Sequence, residues 1–279
     1  MTGAIIQART ASTRLPEKVL RELPFGSGIT VLEQVIRRLK RSQSLKKIIV
    51  ATTENKEDDV IVKIAKKEKA AYFRGSENDV LSRYYHAAKE HALVTIVRIT
   101  SDCPCIDPSV VDGLIKAHEQ SNKDYTTNCL KRTYPHGLDA EVFSFVALET
   151  AFGEASKDFE KEHVTPFMYG SGKFNIQNIE APDEYNMPGI RITLDTREDY
   201  IALCAVYDFL YSVNPFFGTK DIVGLFNARP WIGMINEKVV QKKIFNSLEE
   251  ELKEAEKVLA LQDLLRARDY VRSRLEARQ

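Results

Sequence analysis

The sequence predicts an α/β fold: a doubly wound, mixed but mostly parallel sheet with helices on both faces, followed by a long charged helix or helix pair at the C-terminal end. Three observations carry this. Short apolar runs alternate with amphipathic stretches through the first two thirds of the chain, and repeated strand–helix–strand order implies parallel strands joined by helical crossovers. Such crossovers are right-handed, which distributes the helices over both faces. Residues 247–279 are dense in charge but keep a narrow apolar seam. The chain is thus read as two parts, residues 1–245 and 246–279.

Each element follows from local pattern. Ala4–Gln7 is a buried strand, and Val31, Leu32, Val35, Ile36 and Leu39 recur at helical spacing. Lys47–Thr52 is a second strand, Val60, Ile61, Ile64 and Ala65 mark a second helix, and Ala71–Arg74 is a third strand. Asp79–His91 is helical, with Val80, Leu81, Tyr84 and Ala88 on one face. Thr95–Thr100 is the fourth strand, Pro108 opens a helix through Gln120, and Tyr125–Asn128 is a short fifth strand. Beyond residue 130 the alternation is less regular. Tyr134–Gly137 reads as a turn and Ala140–Ser144 as extended. Phe145–Phe152 and Phe159–Gly170 read as helices, Phe174–Ile179 and Ile190–Leu194 as strands. Thr196–Val213 is a helix that Asp195 can cap, with Glu198 as the reciprocal partner; Ser247 and Glu250 make the same signature at the start of the charged tail.

Composition excludes several functions. The 279 residues hold 40 Lys+Arg against 40 Asp+Glu, a formal net charge of +0, which is unlike a general nucleic-acid binder. No apolar run approaches the roughly 18 residues that span a bilayer, and the opening Met1–Ile6 lacks a secretory pattern, so a cytoplasmic protein without membrane or nucleic-acid partners is expected. Cys103, Cys105, Cys129 and Cys204 form no C-x-x-C and read as reduced thiols.

In doubly wound sheets ligands sit beyond the carboxyl ends of the strands, so the loops after Gln7, Arg74 and Thr100 should converge. The first is the most informative. Gln7 to Lys18 holds Arg9, Arg14 and Lys18 with three hydroxyls and one acid. That set suits a polyphosphate, because Arg forks two oxygens and Lys supplies a mobile charge; composition alone leaves it equally a solvated basic loop. No G-x-G-x-x-G and no G-K-[ST] is present, which weighs against nicotinamide enzymes and P-loop NTPases.

These residues carry a resemblance. The run Ile6-Gln7-Ala8-Arg9-Thr10-Ala11-Ser12-Thr13-Arg14-Leu15-Pro16-Glu17-Lys18 resembles the opening loop of the CMP-sugar-acid synthetases, which include the CMP-3-deoxy-manno-octulosonate and CMP-sialate synthetases, and above all their spore coat polysaccharide (SpsF) branch. Further blocks match in order: Arg74-Gly75-Ser76-Glu77-Asn78-Asp79, Arg98-Ile99-Thr100-Ser101-Asp102-Cys103-Pro104, Tyr134-Pro135-His136-Gly137-Leu138-Asp139-Ala140-Glu141, Glu162-His163-Val164-Thr165-Pro166 and Arg191-Ile192-Thr193-Leu194-Asp195-Thr196. The resemblance spans about residues 1–245. It implies a nucleotide-diphospho-sugar transferase type of sheet and a cytidylyltransferase that joins CMP from CTP to a sugar acid.

By this resemblance Arg9, Arg14 and Lys18 wrap the triphosphate and, with Asp102, carry catalysis. Ala8, Ser12, Arg74, Gly75, Ser76 and Thr100 complete the nucleotide contacts, with Arg74 facing the base. Asp102 and Asp195 hold Mg²⁺, a hard cation that suits carboxylates and phosphate oxygens together; Asp195 is equally readable as a helix cap. His136, Asp139, Glu141 and His163 fall near the acceptor, and Asp139 and Glu141 share one side of an extended segment. A homodimer is implied. The competing readings are a glycosyltransferase that consumes a nucleotide sugar, against which Asp102-Cys103-Pro104 lacks a D-x-D, and a non-catalytic nucleotide-binding subunit, against which the retained Arg, Lys and Asp set stands.

Overall fold

The computed structural model describes residues 1–239 and 247–276. Seven strands form one sheet: β1 (Thr2–Gln7), β2 (Lys47–Thr53), β3 (Ala71–Gly75), β4 (Thr95–Thr100), β5 (Tyr125–Thr127), β6 (Glu141–Ser144) and β7 (Ile176–Asn178), in the order β3-β2-β1-β4-β6-β5-β7. All pairings are parallel except those of β6, which runs antiparallel to both β4 and β5. The expected mixed, mostly parallel sheet is present, and its single reversal sits where the helical crossovers give way to irregular chain.

The interior strand β1 is apolar on both sides. Ala4, Ile5 and Ile6 are each fully buried, as a strand covered on both faces requires. Ala4, Ile6, Val50, Val97 and Ile99 pack under α1 (Val31–Leu39), α2 (Asp59–Lys67) and α4 (Pro108–Ser121). Ile5, Ile49, Ala51 and Ile96 pack under α3 (Val80–Glu90), α5 (Phe145–Glu154) and the short helices α6 (Asp158–His163) and α7 (Pro166–Gly170). Each fully buried aliphatic side chain contributes about 1.5–3 kcal/mol before conformational entropy is counted. The helix starts are set locally: Thr30 and Glu33 form a capping box for α1, Asp79 accepts the Ser82 N–H at α3, and Pro108 opens α4 behind Asp107.

A third apolar cluster joins α8 (Arg197–Leu210), α9 (Thr219–Ala228) and α10 (Trp231–Met234) to the loops around Tyr134 and Ile192. Buried Arg38 pins this layer to the sheet: its guanidinium donates to the carbonyl oxygens of Ile106 (2.7 Å), Cys105 (3.4 Å) and Phe217, and stacks over the Phe217 ring.

Three expectations are corrected. Phe159–Gly170 is two helices, broken at Val164, whose φ of 72° no helix continues, and restarted by Pro166. Ile190–Leu194 is not a strand: its backbone meets His136 at a single bridge, with His136 N–H to Ile190 O and Ile192 N–H to His136 O both at 2.8 Å. The cap of α8 is Thr196, which makes a capping box with Asp199, and not Asp195 with Glu198. Of the two readings of the tail, the helix pair is the one present: α11 (Leu248–Leu261) and α12 (Leu265–Glu276), turned at Asp263 with φ 55° and tied by Arg272 to Glu256 at 2.7 Å. Met1–Glu237 and Lys238–Gln279 are separate compact units; the expected boundary between residues 245 and 246 lies outside the described residues.

Candidate active site

The loop after β1 is shaped by one buried carboxylate. Asp58, 2% exposed at the start of α2, accepts the Thr10 N–H and the Thr10 hydroxyl, each at 2.7 Å, and the Thr53 hydroxyl. Glu17 N–H closes the loop on Thr10 O at 3.1 Å, and Glu17 takes a left-handed φ of 54° to lead into a 3₁₀ turn over Lys18–Leu20. Arg9 and Arg14 are thereby carried outward, with side chains 42% and 38% exposed, whereas Lys18 turns inward.

Lys18 Nζ lies between two carboxylates, 2.7 Å from Asp102 Oδ2 and 2.9 Å from Asp195 Oδ1. Asp102 follows β4, and Asp195 ends the extended segment that replaces the expected strand. The two are locked together by the Leu194 N–H and the Thr193 hydroxyl, both donating to Asp102 O, at 2.8 and 3.2 Å. Because Thr196 performs the capping, Asp195 keeps its oxygens for Lys18, for Arg14 at 3.0 Å and for Arg191 at 3.0 Å. Burial works to lower the Lys18 pKa, but Asp102 and then Asp195 outweigh it and hold the ammonium well above its ordinary value. Burial works to raise the Asp102 pKa, and Lys18 overrides that, leaving it well below the usual carboxylate range. Both groups are therefore ionised at neutral pH.

A second carboxylate that the sequence reading passed over organises this side. Asp199, fully buried, receives Arg191 at 2.7 and 2.9 Å, the backbone N–H groups of Asp195 and Thr196 at 3.0 Å, and Asn236 Nδ2 at 2.9 Å. Its pKa is lowered: burial opposes ionisation, and the Arg191 bonds prevail. The signal available was the acid three residues after Thr196.

Across the mouth, Arg9 reaches Glu77 at 3.6 Å, so the loops after β1 and β3 meet as expected. Arg74 does not face open space: its donors go to Thr53 O (2.9 Å), Asn55 O (2.8 Å) and Asp59 Oδ1 (2.6 Å), bracing the loop after β2. Gly75 lies against Arg83, where a Cβ would come within 3.0 Å of Arg83 Cγ. Ala8 is buried with its N–H on Ala51 O at 3.1 Å, Ser12 is half-buried on the loop, Ser76 receives the Asp79 N–H, and the Thr100 hydroxyl lies 3.3 Å from Cys103 Sγ.

The middle block adjoins this mouth from the β6 side. Gly137, at φ 117°, lets the chain pass the Ile192 carbonyl, and His136 Nδ1 then sits 3.1 Å from Arg191 Nη1. Burial depresses the His136 pKa, favouring a neutral ring. Asp139 is held by Arg132 at 2.5 and 2.8 Å, with His136 Nε2 at 3.7 Å. Glu141 is committed inward, to Arg98 and to the Tyr125 hydroxyl (2.6 Å). His163 ends α6, which packs beside α3. Lys18, Arg14, Asp102 and Asp195 are thus brought into direct contact, His136 joins them through Arg191, and Arg74 and Glu141 are bonded to groups outside that cluster.

A family model described as cytidylyltransferase matches residues 3–212. The chain belongs to the cytidylyltransferase family. Its members are CTP-dependent nucleotidyltransferases, and this cytidylyltransferase has the mixed sheet of that class. It is 38% identical over 239 residues to the uncharacterized protein MJ1063 of Methanocaldococcus jannaschii, covering 85% of this chain and 95% of that one. It is 33% identical over 232 residues to the spore coat polysaccharide biosynthesis protein SpsF of Bacillus subtilis, covering 81% and 94%. A solved cytidylyltransferase from Leptospira borgpetersenii superposes with a TM-score of 0.76 at 35% identity, over 88% of this chain and 99% of that one.

Proposed function

We propose that this cytidylyltransferase transfers CMP from CTP to a hydroxyl of a sugar acid, or a related acidic acceptor, and releases pyrophosphate, supplying a cell-surface or spore-coat polysaccharide. The observation that carries the reading is the single ammonium of Lys18 between Asp102 and Asp195, at 2.7 and 2.9 Å, with Arg14 on the same Asp195. The acceptor hydroxyl oxygen bonds to the α-phosphorus and gives up its proton to water as the bond to the bridging oxygen of pyrophosphate breaks, and that electron pair leaves with the pyrophosphate. Arg9, Arg14 and Lys18 are the cations nearest the place where that negative charge grows, and once the nucleotide and its metal exchange for their present carboxylate partners they stabilise it electrostatically. Positioning and electrostatics supply most of the rate.

The donor set fits a hard divalent cation. Two carboxylates at neighbouring chain ends already flank one positive charge, and among the described residues no cluster of three or more His, Cys, Asp or Glu offers a softer cage. Asp102 and Asp195 would hold Mg²⁺ with phosphate oxygens and water. Such an ion supplies charge neutralisation on the phosphates and a template for their orientation. Ala8, Ser12, Gly75, Ser76 and Thr100 line the nucleotide side of the reading, and His136, Asp139 and His163 the acceptor side. The setting is supported by the polysaccharide biosynthesis in the name of the Bacillus subtilis relative. The same reading makes the enzyme a cytoplasmic homodimer.

Incubation with CTP, Mg²⁺ and a panel of sugar acids tests it through pyrophosphate release. One acceptor of the panel is expected to give turnover that Arg14→Ala lowers about 10²–10³-fold, as for loss of one charge-stabilising donor. A folded sample that neither binds CTP nor releases pyrophosphate overturns the reading.

A further inference from the structure

We propose that a cavity on the α4 face of the sheet is a second ligand site, one that takes an anionic monosaccharide: a pyranose bearing one carboxylate or phosphate. The inference goes beyond the transfer reading and does not depend on it.

The cavity holds about 400 Å³ between the first turns of α4 and α9, Tyr134, and the chain that follows β7. It shares no lining residue with the Lys18 cluster. It also lies on the opposite face of the sheet from α3 and α6. Val110, Leu114, Ile179 and Pro182 give it an apolar floor, and the rings of Tyr134 and Tyr185 stand in its wall. An apolar wall with a few polar groups, at this volume, suits a small organic ligand.

Three features of the wall have no use in the protein's own packing. The first is Tyr134, 8% exposed in the apolar cluster that includes Leu138 and Ala181. Its hydroxyl has no hydrogen-bond partner among the described residues and is not sealed in the core, so it opens on the cavity it lines. Burial, and then Asp107, raise its pKa, so it keeps its proton and can donate as well as accept. A phenylalanine would fill the same place with no polar group to desolvate.

The second is Gly113, inside α4, where glycine is less favourable than alanine. Its φ is not left-handed, and an added Cβ would meet nothing within 4 Å. Neither backbone nor packing calls for a glycine there. What the missing side chain preserves is the open space of the cavity.

The third is Lys220, in the first turn of α9, with no carboxylate in ion-pair reach among the described residues. The two carboxylates at this end are spent on protein donors. Asp107 accepts the Ser109 N–H at 2.8 Å and the Thr219 N–H and hydroxyl at 2.7 Å, and Asp221 accepts the Gly218 N–H at 2.8 Å. The N–H groups of Val110 and Lys220 have no acceptor among the described residues, and first-turn N–H groups favour an anion. A pyranose has an apolar C–H face for the floor, hydroxyls for Tyr134, and one negative group for the Lys220 end.

Isothermal titration of D-glucuronate, D-glucose 1-phosphate and uncharged D-glucose into the full chain tests this, with thermal unfolding of each variant recorded alone. The parent is expected to bind an anionic sugar at one site per chain, and glucose at least about tenfold more weakly, the loss of one charge-assisted contact. The tighter of the two anions tells carboxylate from phosphate. Gly113→Leu should abolish binding while melting no cooler than the parent, since Leu is the better helix former. Tyr134→Phe should weaken binding about threefold and Lys220→Gln at least about tenfold, both with unchanged Tm. Saturating CTP with Mg²⁺ should leave the affinity within about threefold. A parent that binds neither anionic sugar, a Gly113→Leu or Lys220→Gln protein that binds as the parent does, or displacement of the sugar by CTP overturns the proposal. Failure to bind CTP removes the transfer reading alone, because the sugar titrations are read without nucleotide.

Discussion

Replacing Asp58 by alanine removes the carboxylate that gathers the β1 loop. Three hydrogen bonds end on it in a 2% exposed position: the Thr10 N–H and hydroxyl at 2.7 Å and the Thr53 hydroxyl. Bonds to a charged acceptor contribute about 1.5–3 kcal/mol each. The two hydroxyls can rotate to other acceptors, but the Thr10 N–H cannot, and an orphaned buried donor costs about 1–3 kcal/mol. The expected net loss is about 3 kcal/mol, or roughly 6–10 °C in Tm for a unit of this size. Arg9, Arg14 and Lys18 lie on the loop so released, and a displacement of about 1 Å at such groups costs about 10²-fold in rate. Asp58→Asn keeps the acceptor oxygen for Thr10, turns the Thr53 contact round so that the amide N–H donates to the Thr53 hydroxyl oxygen, and gives up the charge; it should cost about 1 kcal/mol. Differential scanning calorimetry and CTP titration check both variants. An Asp58→Ala protein that melts within a degree of the parent and binds CTP equally well would refute the reasoning.

Three further outcomes follow from the site. Lys18→Met strips Asp102 and Asp195 of their shared ammonium, so Mn²⁺ measured by electron paramagnetic resonance without CTP should bind at least about tenfold tighter than to the parent, the worth of one charge-assisted contact, while turnover falls about 10²–10³-fold; equal metal affinity would contradict it. Gly137→Ala drives a Cβ to 2.7 Å from the Ile192 carbonyl at φ 117° and should cost at least about 2 kcal/mol in denaturant unfolding; an unchanged midpoint would mean that the chain relaxes freely there. The folded pKa values of Asp102 and Asp199 are depressed, so their stabilisation is complete above the unfolded carboxylate value near 3.9 and is lost as pH falls from there toward the lowered folded values. His118 and His136 are depressed mainly by burial, and by the same sign their contribution is present above the unfolded value near 6.5 and declines below it. Midpoints measured from pH 8 to 3 should therefore fall in two stages, and a flat profile down to pH 4 would count against the histidine stage.

The nucleotide half of the fold was legible because its signals are local. Apolar runs such as Ala4–Ile6 and helix openers such as Pro108 declare themselves within a few residues, and the charged loop follows its strand directly. What escaped depends on distance. Asp58 serves Thr10 from 48 residues away, and nothing in its neighbourhood marks it. Thr196 and Asp195 are adjacent and both are good caps; the geometry of Asp199 chose the first and left Asp195 to meet Lys18, 177 residues earlier. Arg74 stands at the expected place, but Asp59 and two carbonyl groups claim its guanidinium. Ile190–Leu194 has a strand's composition, yet the chain beside it is a turn that offers one pairing position.

The reversal at β6 has a consequence for how the parts of the site are connected. Because β6 is antiparallel to β4, with Arg98 opposite Glu141 and Thr95 opposite Ser144, it begins at the mouth and not at the far end. Residues 128–140 therefore reach the mouth as one hairpin-like excursion, anchored at both roots by Asn128, whose amide bonds Leu138 O at 2.9 Å and receives the Ala140 N–H at 3.0 Å. The loops after β1 and β3 and the Asp102 turn leave from other strands. On the proposed function, the acceptor contacts of that excursion and the phosphate contacts of the β1 loop are rooted in different strands, and His136, bonded to the Ile190–Ile192 backbone and to Arg191, is the tie through which a change in one is felt at Asp195.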